Sequence, residues 1–458
     1  MMAAVVATAF FMEGLDGTVI ATALPAMAVS FGVDVTQLSI GITSYLLALA
    51  IFLPLSGWTA DRFGSRNVFC GAIAVFTLSS IAAGLSPNLT SFVAARIVQG
   101  ASAALMSPVG RLVIVRGANK DEVVRAINIS TWPGLIGPVF GPPLGGFFAT
   151  YLTWHWIFFL NVPIGIAGIA LAMRSIDNHY GAVRRPFDGL GFALTAVTLA
   201  AIMYGLSLVD HLAWSAAFVS IAIGLCAGVL AVRHAKKHPF PLIDLAPLKT
   251  RTFAVIVRGG IFFLMSVGAT PFLLPLFFQQ GFGVTAFVSG LLVLGYAIGN
   301  LAIKSVTTPL IRNYGFRTVL TVNGVLSALA IVACGLLSPT VGLPLAFVLL
   351  VFAGAVRSIG LSCIFTLPYA DIEDAHKTAA STLVGVVWQV GFGLGIAIST
   401  FILQLVVLTR HPGDAMLSIT DFRLAFLAVG VIGLLAVIDY AGLPRDAGAR
   451  ISGHKVAK

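Results

Sequence analysis

Charge is scarce in this chain. Of its 458 residues only 10% are Asp, Glu, Lys or Arg, whereas 58% are hydrophobic, and the mean hydropathy is +1.01. A soluble globular domain carries about a quarter charged residues, so the deficit excludes that class. Cysteine is also sparse. Cys70, Cys226, Cys334 and Cys363 all lie in apolar runs, which points to packing residues and away from a disulfide framework or a cysteine metal site. No Lys or Arg precedes Arg62. The first apolar stretch therefore lacks the basic lead of a cleaved signal peptide and is expected to stay as a helix. The phosphate-loop pattern GxxxxGK[ST] is missing, as are HExxH, GxSxG and paired CxxC motifs, so neither ATP-driven pumping nor enzymatic catalysis is expected. His155, His179, His211 and His234 lie in or beside loops without ligand spacing; no metal and no other cofactor is expected.

Apolar runs of membrane-spanning length recur along the chain, about 20 residues being enough to cross ~30 Å of hydrocarbon as a helix. Only helices and closed barrels satisfy their backbone in lipid, and barrel strands would alternate rather than run apolar. The fold class is an all-α polytopic membrane protein. Spans are expected near 3–28, 37–58, 68–87, 91–112, 126–149 and 157–173, then 189–207 and 214–232, then 252–278, 287–306, 318–337, 343–366, 377–408 and 422–443. That is about fourteen, with the thirteenth long enough to kink or to emerge at its outer end.

The excess of basic residues sits in alternate loops: Arg62 and Arg66; Arg116, Lys120 and Arg125; Arg174, Arg184 and Arg185; Arg233, Lys236, Lys237, Lys249 and Arg251; Arg312 and Arg317; and the tail from Arg445 to Lys458. The other loops hold Arg410 and Arg423 with Asp34, Asp210, Asp414 and Asp421. This asymmetry is the positive-inside pattern. It places the first set and both termini in the cytoplasm, and it accounts for the net positive charge without nucleic acid. The expected setting is a cell membrane.

A repeat runs through the chain at an offset of about 250 residues. Leu24-Pro25 recurs as Leu274-Pro275, RFGSR (62–66) as NYGFR (313–317), and VFGPPLGG (139–146) as VGFGLGIA (390–397). Parallel six-helix repeats build one large class of secondary transporters. The expected organisation is a six-helix bundle over 1–175, two inserted helices with cytoplasmic linkers over 176–250, a second six-helix bundle over 251–444, and a tail over 445–458.

Two acids, Glu13 and Asp16, stand in the first apolar run. Residues three apart share a helix face, so both can point into one cavity. A lipid-facing charge at mid-membrane costs at least ~2.5–3.5 kcal/mol, so they need a water path or a cation. Desolvation favours the neutral form of a carboxyl and so brings proton exchange toward physiological pH; two such groups would titrate as a pair. Helix packing near a solvated end is the plainer alternative for Glu13. Arg96, in RIVQGASAA (96–104), is the expected counter-charge, with Gln99 one turn on; a fixed structural ion pair is the alternative. GPVFGPPLGG (137–146) combines small residues with prolines, giving a tight, bent helix seam through Gly137, Gly141, Pro142, Gly145 and Gly146. GWTADRFGSR (57–66) is a cytoplasmic turn in which Asp61, with Gly57, Arg62, Gly64 and Arg66, can latch the halves by meeting a helix N-terminus or an arginine. Arg258 lies close enough to an end to snorkel, whereas Arg357 lies deeper, where it can bind an anion or pair with Glu13. Glu13, Asp16, Gln99, Arg357 and Gln279 are the candidate substrate contacts.

Together these motifs resemble the major facilitator superfamily, and within it the fourteen-helix drug–proton antiporters (EmrB/QacA-like), with bacterial multidrug exporters of the MdtD type as the nearest branch. The resemblance covers nearly the whole chain. LDGTVIATALP (15–25) is similar to the first-helix motif, and GWTADRFGSR to the loop motif, with Thr59 and Ser65 departing from it. RIVQG matches the fourth-helix motif and GPVFGPPLGG the antiporter motif. WHWIFFLNVPIG (154–165) is similar to a further signature, with His155 where arginine is common, and RTFAV (251–255) and PFLLPLFFQQ (271–280) resemble the second half. The resemblance implies two six-helix bundles plus two inserted helices, proton-driven export with Asp16 and Arg96 as the coupling pair, and a small-molecule substrate, protons and the lipid bilayer as partners of an expected monomer. Amphipathic, often cationic drugs fit the two acids. Three core cations, Arg96, Arg258 and Arg357, keep open the export of an anionic metabolite such as an organic acid or an iron–citrate complex.

Overall fold

The computed structural model describes residues 2–117, 123–181, 186–209, 214–373, 376–410 and 417–454. Lys120, Arg184, Arg185, Asp210, His211, Asp414 and Lys458 lie outside the described residues, as does the side chain of Arg125. The helices follow in order: α1 Met2–Val19, α2 Leu24–Phe31, α3 Val35–Phe52, α4 Leu55–Phe63, α5 Ser65–Gly84, α6 Leu89–Gly117, α7 Val123–Tyr151, α8 Trp156–Phe159 and α9 Asn161–Ser175. Then come α10 Gly189–Val209, α11 Trp214–Lys237, α12 Arg251–Leu276, α13 Ala286–Ala302, α14 Lys304–Gly335, α15 Leu343–Thr366, α16 Lys377–Arg410, α17 Ile419–Ala441 and α18 Ala449–Ser452.

Twelve helices among the described residues are long and apolar enough to cross a membrane. Two of the expected fourteen spans fall outside that set: α7, which carries four prolines, and α13, which has 17 residues. The boundaries depart from expectation where proline and glycine intervene. The first span does not run unbroken. It gives way to a 3-10 turn at Ile20–Thr22, and Pro25 then opens α2, where its missing N–H costs nothing. Pro54 likewise divides the second span into α3 and α4. The long thirteenth span is one helix, α16, of 34 residues.

The chain forms two compact units. Unit 1 comprises 1–200 with 239–242 and 285–290; unit 2 comprises 201–238, 243–284 and 291–458. The core of unit 1 is built from Val5, Phe10 and Met12 of α1, Phe69, Ile73 and Phe76 of α5, and Met106 and Val113 of α6. Unit 2 is built around Phe263 and Leu264 of α12, Phe316 and Leu320 of α14, and Tyr440 of α17. The helices α10 and α11 contribute little core. Only 6% and 17% of their apolar windows are buried, against 83% for Arg251–Gly281, so their surfaces suit lipid.

The repeat has a backbone counterpart. In RFGSR, Gly64 adopts φ +88°, and in NYGFR, Gly315 adopts φ +75°, a region that a side chain would strain. Each marks a sharp redirection: Gly64 separates α4 from α5, and Gly315 kinks α14 internally. The Leu-Pro pairs also fall at irregularities, the first at the 3-10 break before α2 and the second just before a π-helical turn at Phe277–Gly281.

Candidate proton-coupling site

α1 and α6 run antiparallel through unit 1, and their facing polar residues form the site. Asp16 is 1% exposed, and Arg96 and Gln99 are 0% exposed. Arg96 Nη1 lies 2.6 Å from Asp16 Oδ2 and donates to Gln99 Oε1 at 2.5 Å. Gln99 Nε2 donates to Asp16 Oδ1 at 2.9 Å and to Ser80 Oγ of α5 at 2.8 Å. Asn161, the first residue of α9, points its Nδ2 at the same Asp16 oxygen at 3.5 Å and at Ser80 Oγ at 3.3 Å. Arg96 Nε donates to the Gly41 carbonyl of α3 at 3.3 Å, and its guanidinium lies 4.2 Å from the centre of the Tyr45 ring. Residues of α6 and α9 thus bond the carboxylate directly, and α3 and α5 hold those residues in turn, which is what a buried charge requires.

Glu13 shares the α1 face with Asp16 but takes a different partner, accepting a hydrogen bond from Ser107 Oγ of α6. The two acids therefore sit against well-separated turns of α6, with separate hydrogen-bond partners.

The seam expected of GPVFGPPLGG forms against α1. A Cβ on Gly141 would lie 2.1 Å from Thr18 Oγ1, and one on Gly145 would lie 2.0 Å from the Val19 carbonyl. Such distances exclude any side chain without moving a helix. Gly137 meets Leu15 N, and Gly146 meets the Ala286 carbonyl of the 285–290 stretch that belongs to unit 1. The Pro142 carbonyl accepts a hydrogen bond from Thr22 Oγ1 at 3.2 Å. A Gly145→Val protein is expected to lose about 1–3 kcal/mol through overpacking and most of its transport. Gly17→Ala is the neutral control, because a Cβ there meets nothing within 4 Å. Thermal unfolding in detergent, followed for both, checks this.

In the 57–66 turn, Asp61 Oδ1 pairs with Arg116 Nη2 of α6 at 2.5 Å. The partner belongs to unit 1, and the pair ties α4 to the last turn of α6. Gly64 abuts Asn178, whose Oδ1 accepts from the Arg66 N–H at 3.1 Å. Arg62 is exposed, and Gly57 has open space around it, so neither is required here by packing.

In unit 2, Arg357 of α15 lies with its guanidinium 5.2 Å from the Tyr296 ring centre, and its Nε has no hydrogen-bond partner among the described residues. Gln279 sits half-buried in the π-helical turn. Arg258 is ion-paired with Asp439 at 2.7 Å and is 69% exposed, which removes it from the buried cations. His155 stacks on Trp154 at 3.8 Å, and burial pushes its imidazole below the usual range.

Sequence reasoning did not single out Tyr45, Ser80, Ser107, Asn161 or Asn178, and it named Arg116 only among the loop cations. Asn161 carried the one available signal, its place in the WHWIFFLNVPIG stretch.

The family model described as Major Facilitator Superfamily matches residues 6–396 and 256–453. The chain belongs to the major facilitator superfamily. The protein of Serratia proteamaculans (strain 568) named multidrug resistance protein MdtD is 35% identical over 446 residues, covering 96% of this chain and 93% of that one. Its namesake in Escherichia coli O6:H1 is 34% identical over 447 residues, covering 96% and 94%. Among solved structures, a D-xylose–proton symporter superposes with a TM-score of 0.69 at 15% identity, covering 97% and 98% of the two chains. An autoinhibited POT-family peptide transporter gives 0.68 at 15%, covering 100% and 96%. At that identity they report the facilitator fold alone. This facilitator is therefore a multi-pass membrane transporter whose relatives carry multidrug-resistance names.

Proposed function

We propose that this facilitator is a proton-coupled exporter of amphipathic, often cationic compounds, working by alternating access across a bacterial inner membrane. The observation that carries the reading is Asp16: a carboxylate 1% exposed, held between Arg96, Gln99 and Asn161 in the core of unit 1. Such a group exchanges its proton only when the surrounding helices rearrange, which ties protonation to conformation. Protons entering from outside neutralise Asp16 and favour substrate release. Loss of the proton to the cytoplasm restores the Arg96 pair and the substrate-binding state. Glu13 serves as a second carboxyl on the path, Gln99 holds Asp16, the Gly137–Gly146 seam limits leak, and the Asp61–Arg116 pair is made and broken during the cycle. The reading includes fourteen crossings, with α7 and α13 among them, two six-helix bundles over 1–175 and 251–444, inserted helices between them, cytoplasmic termini and a monomeric state. It involves no nucleic acid and no cofactor beyond the proton gradient.

Arg357 favours a second reading, export of an organic anion or an iron–citrate complex, because its Nε has no partner among the described residues. The test uses everted vesicles with an acid interior and an internal pH-sensitive dye. Ethidium, then citrate with and without iron, is added outside. Proton release on ethidium alone is the expected result. Release on citrate alone would replace the drug reading with the anion reading.

A further inference from the structure

The hydrogen bonds around Asp16 all run one way. Arg96 Nη1, Gln99 Nε2 and Asn161 Nδ2 donate to its carboxylate, and Ser80 Oγ accepts from both amides while donating to the Phe76 carbonyl at 2.9 Å. This arrangement suits an ionised Asp16. Once protonated, the carboxyl carries an O–H that needs an acceptor, and buried donors left without one cost free energy. Two amides are in reach. Gln99 is locked, since turning it over would break bonds of 2.5, 2.9 and 2.8 Å. Among the described residues, Asn161 is held only by contacts of 3.5 and 3.3 Å. It is 1% exposed, and its Oδ1 receives no donor among the described residues.

We propose that Asn161 is a positioning residue that reads the protonation state of Asp16 by turning its side-chain amide over. Facing the carboxylate, it presents Nδ2 as a donor; facing the carboxylic acid, it presents Oδ1 as the acceptor of the new O–H. The only bond made is Asp16 O–H, and the proton comes from the transport path. Because Asn161 opens α9 and Ser80 lies on α5, the turn passes the change from α1 to two further helices. The inference rests on Asp16 being the proton-exchanging group. The ionisable groups facing it are Arg96 of α6, Tyr45 of α3 and Glu13 of its own helix. α8 has none, α9 only Arg174 at its far end, and α7 carries Arg125, whose side chain is outside the described residues, and Tyr151 at its other end.

Infrared difference spectroscopy of the full chain in lipid, stepped across pH, reads this without any substrate. The carbonyl stretch of a protonated buried carboxyl is expected in the wild type and is expected to be lost in Asp16→Asn. In Asn161→Ala the remaining Asp16 band should move to higher frequency, because its O–H has lost an acceptor. Asn161→Leu, near-isosteric and apolar, takes the place of the alanine protein if that one does not give monodisperse material. Unchanged frequency in the Asn161 proteins, with the band still absent in Asp16→Asn, would overturn the role of Asn161 alone. A band fully retained in Asp16→Asn would instead overturn the reading of Asp16 as the proton carrier.

Discussion

Asp16→Asn is expected to reduce uphill, proton-driven efflux to background while leaving downhill substrate exchange in place. Asparagine is nearly isosteric with the carboxyl, and its single oxygen can keep one of the two present acceptor contacts, that from Arg96 Nη1 at 2.6 Å or that from Gln99 Nε2 at 2.9 Å, while its NH2 takes the other oxygen's place. What it lacks is a second charge state. The protein can then occupy both access states, but no proton is taken up or released as it passes between them, so the gradient has nothing to act on. Two measurements on proteoliposomes separate the outcomes. Accumulation against a gradient under an imposed pH difference should vanish, and counterflow of labelled ethidium at equal pH should persist. If the variant still concentrates ethidium under a pH difference, Asp16 is not the coupling group. Loss of both activities would show that the asparagine disturbs binding rather than coupling. Arg96 enters this expectation as well, since its charge is no longer matched; the Tyr45 ring, 4.2 Å away, offsets part of that cost.

The legibility of this site followed from the cost of each group in lipid. Asp16 and Arg96 stood out because a charge inside an apolar run demands a partner, and two such demands on neighbouring helices of a bundle answer each other. Ser80 could not be found in that way. Ser79, Ser80 and Ser86 all donate to carbonyls three or four residues back in or beside α5, at 2.9, 2.9 and 2.8 Å, and nothing local distinguishes the one that also accepts from Gln99 and Asn161. The distinction lies in contacts 19 and 81 residues away. The same holds for Asn178, which accepts from the N–H of Arg66 112 residues earlier. Helix existence was readable from hydropathy, whereas Pro25 and Pro54 divided spans that hydropathy joins, because a missing N–H leaves composition almost untouched. The Gly64 and Gly315 turns were legible as a motif pair. Their shared positive φ, +88° and +75°, is the conformational reason why glycine occupies both.

Arg96→Met is expected to cost about 3–5 kcal/mol of stability, the penalty for leaving a buried carboxylate without its cation. The guanidinium donates to Asp16 at 2.6 Å, Gln99 at 2.5 Å and the Gly41 carbonyl at 3.3 Å, so its removal takes a donor from three acceptors at once. The double variant Arg96→Met with Asp16→Leu should recover most of that loss, because burying two apolar side chains of similar size avoids the desolvation of both charges. Thermal unfolding in one detergent, across the wild type, the two single variants and the double variant, closes the cycle. A double variant more stable than Arg96→Met alone, yet inactive in proton-driven efflux, would mean that the pair is retained for coupling at the expense of stability. Additive losses would mean that Asp16 and Arg96 do not depend on each other, and the ion pair would then explain neither the fold nor the transport. Arg96→Lys sharpens the choice. A single ammonium can match the charge of Asp16 but cannot also hold Gln99 and the Gly41 carbonyl from one planar group. Stability close to wild type with a displaced pH dependence would therefore assign the charge to folding and the guanidinium geometry to coupling.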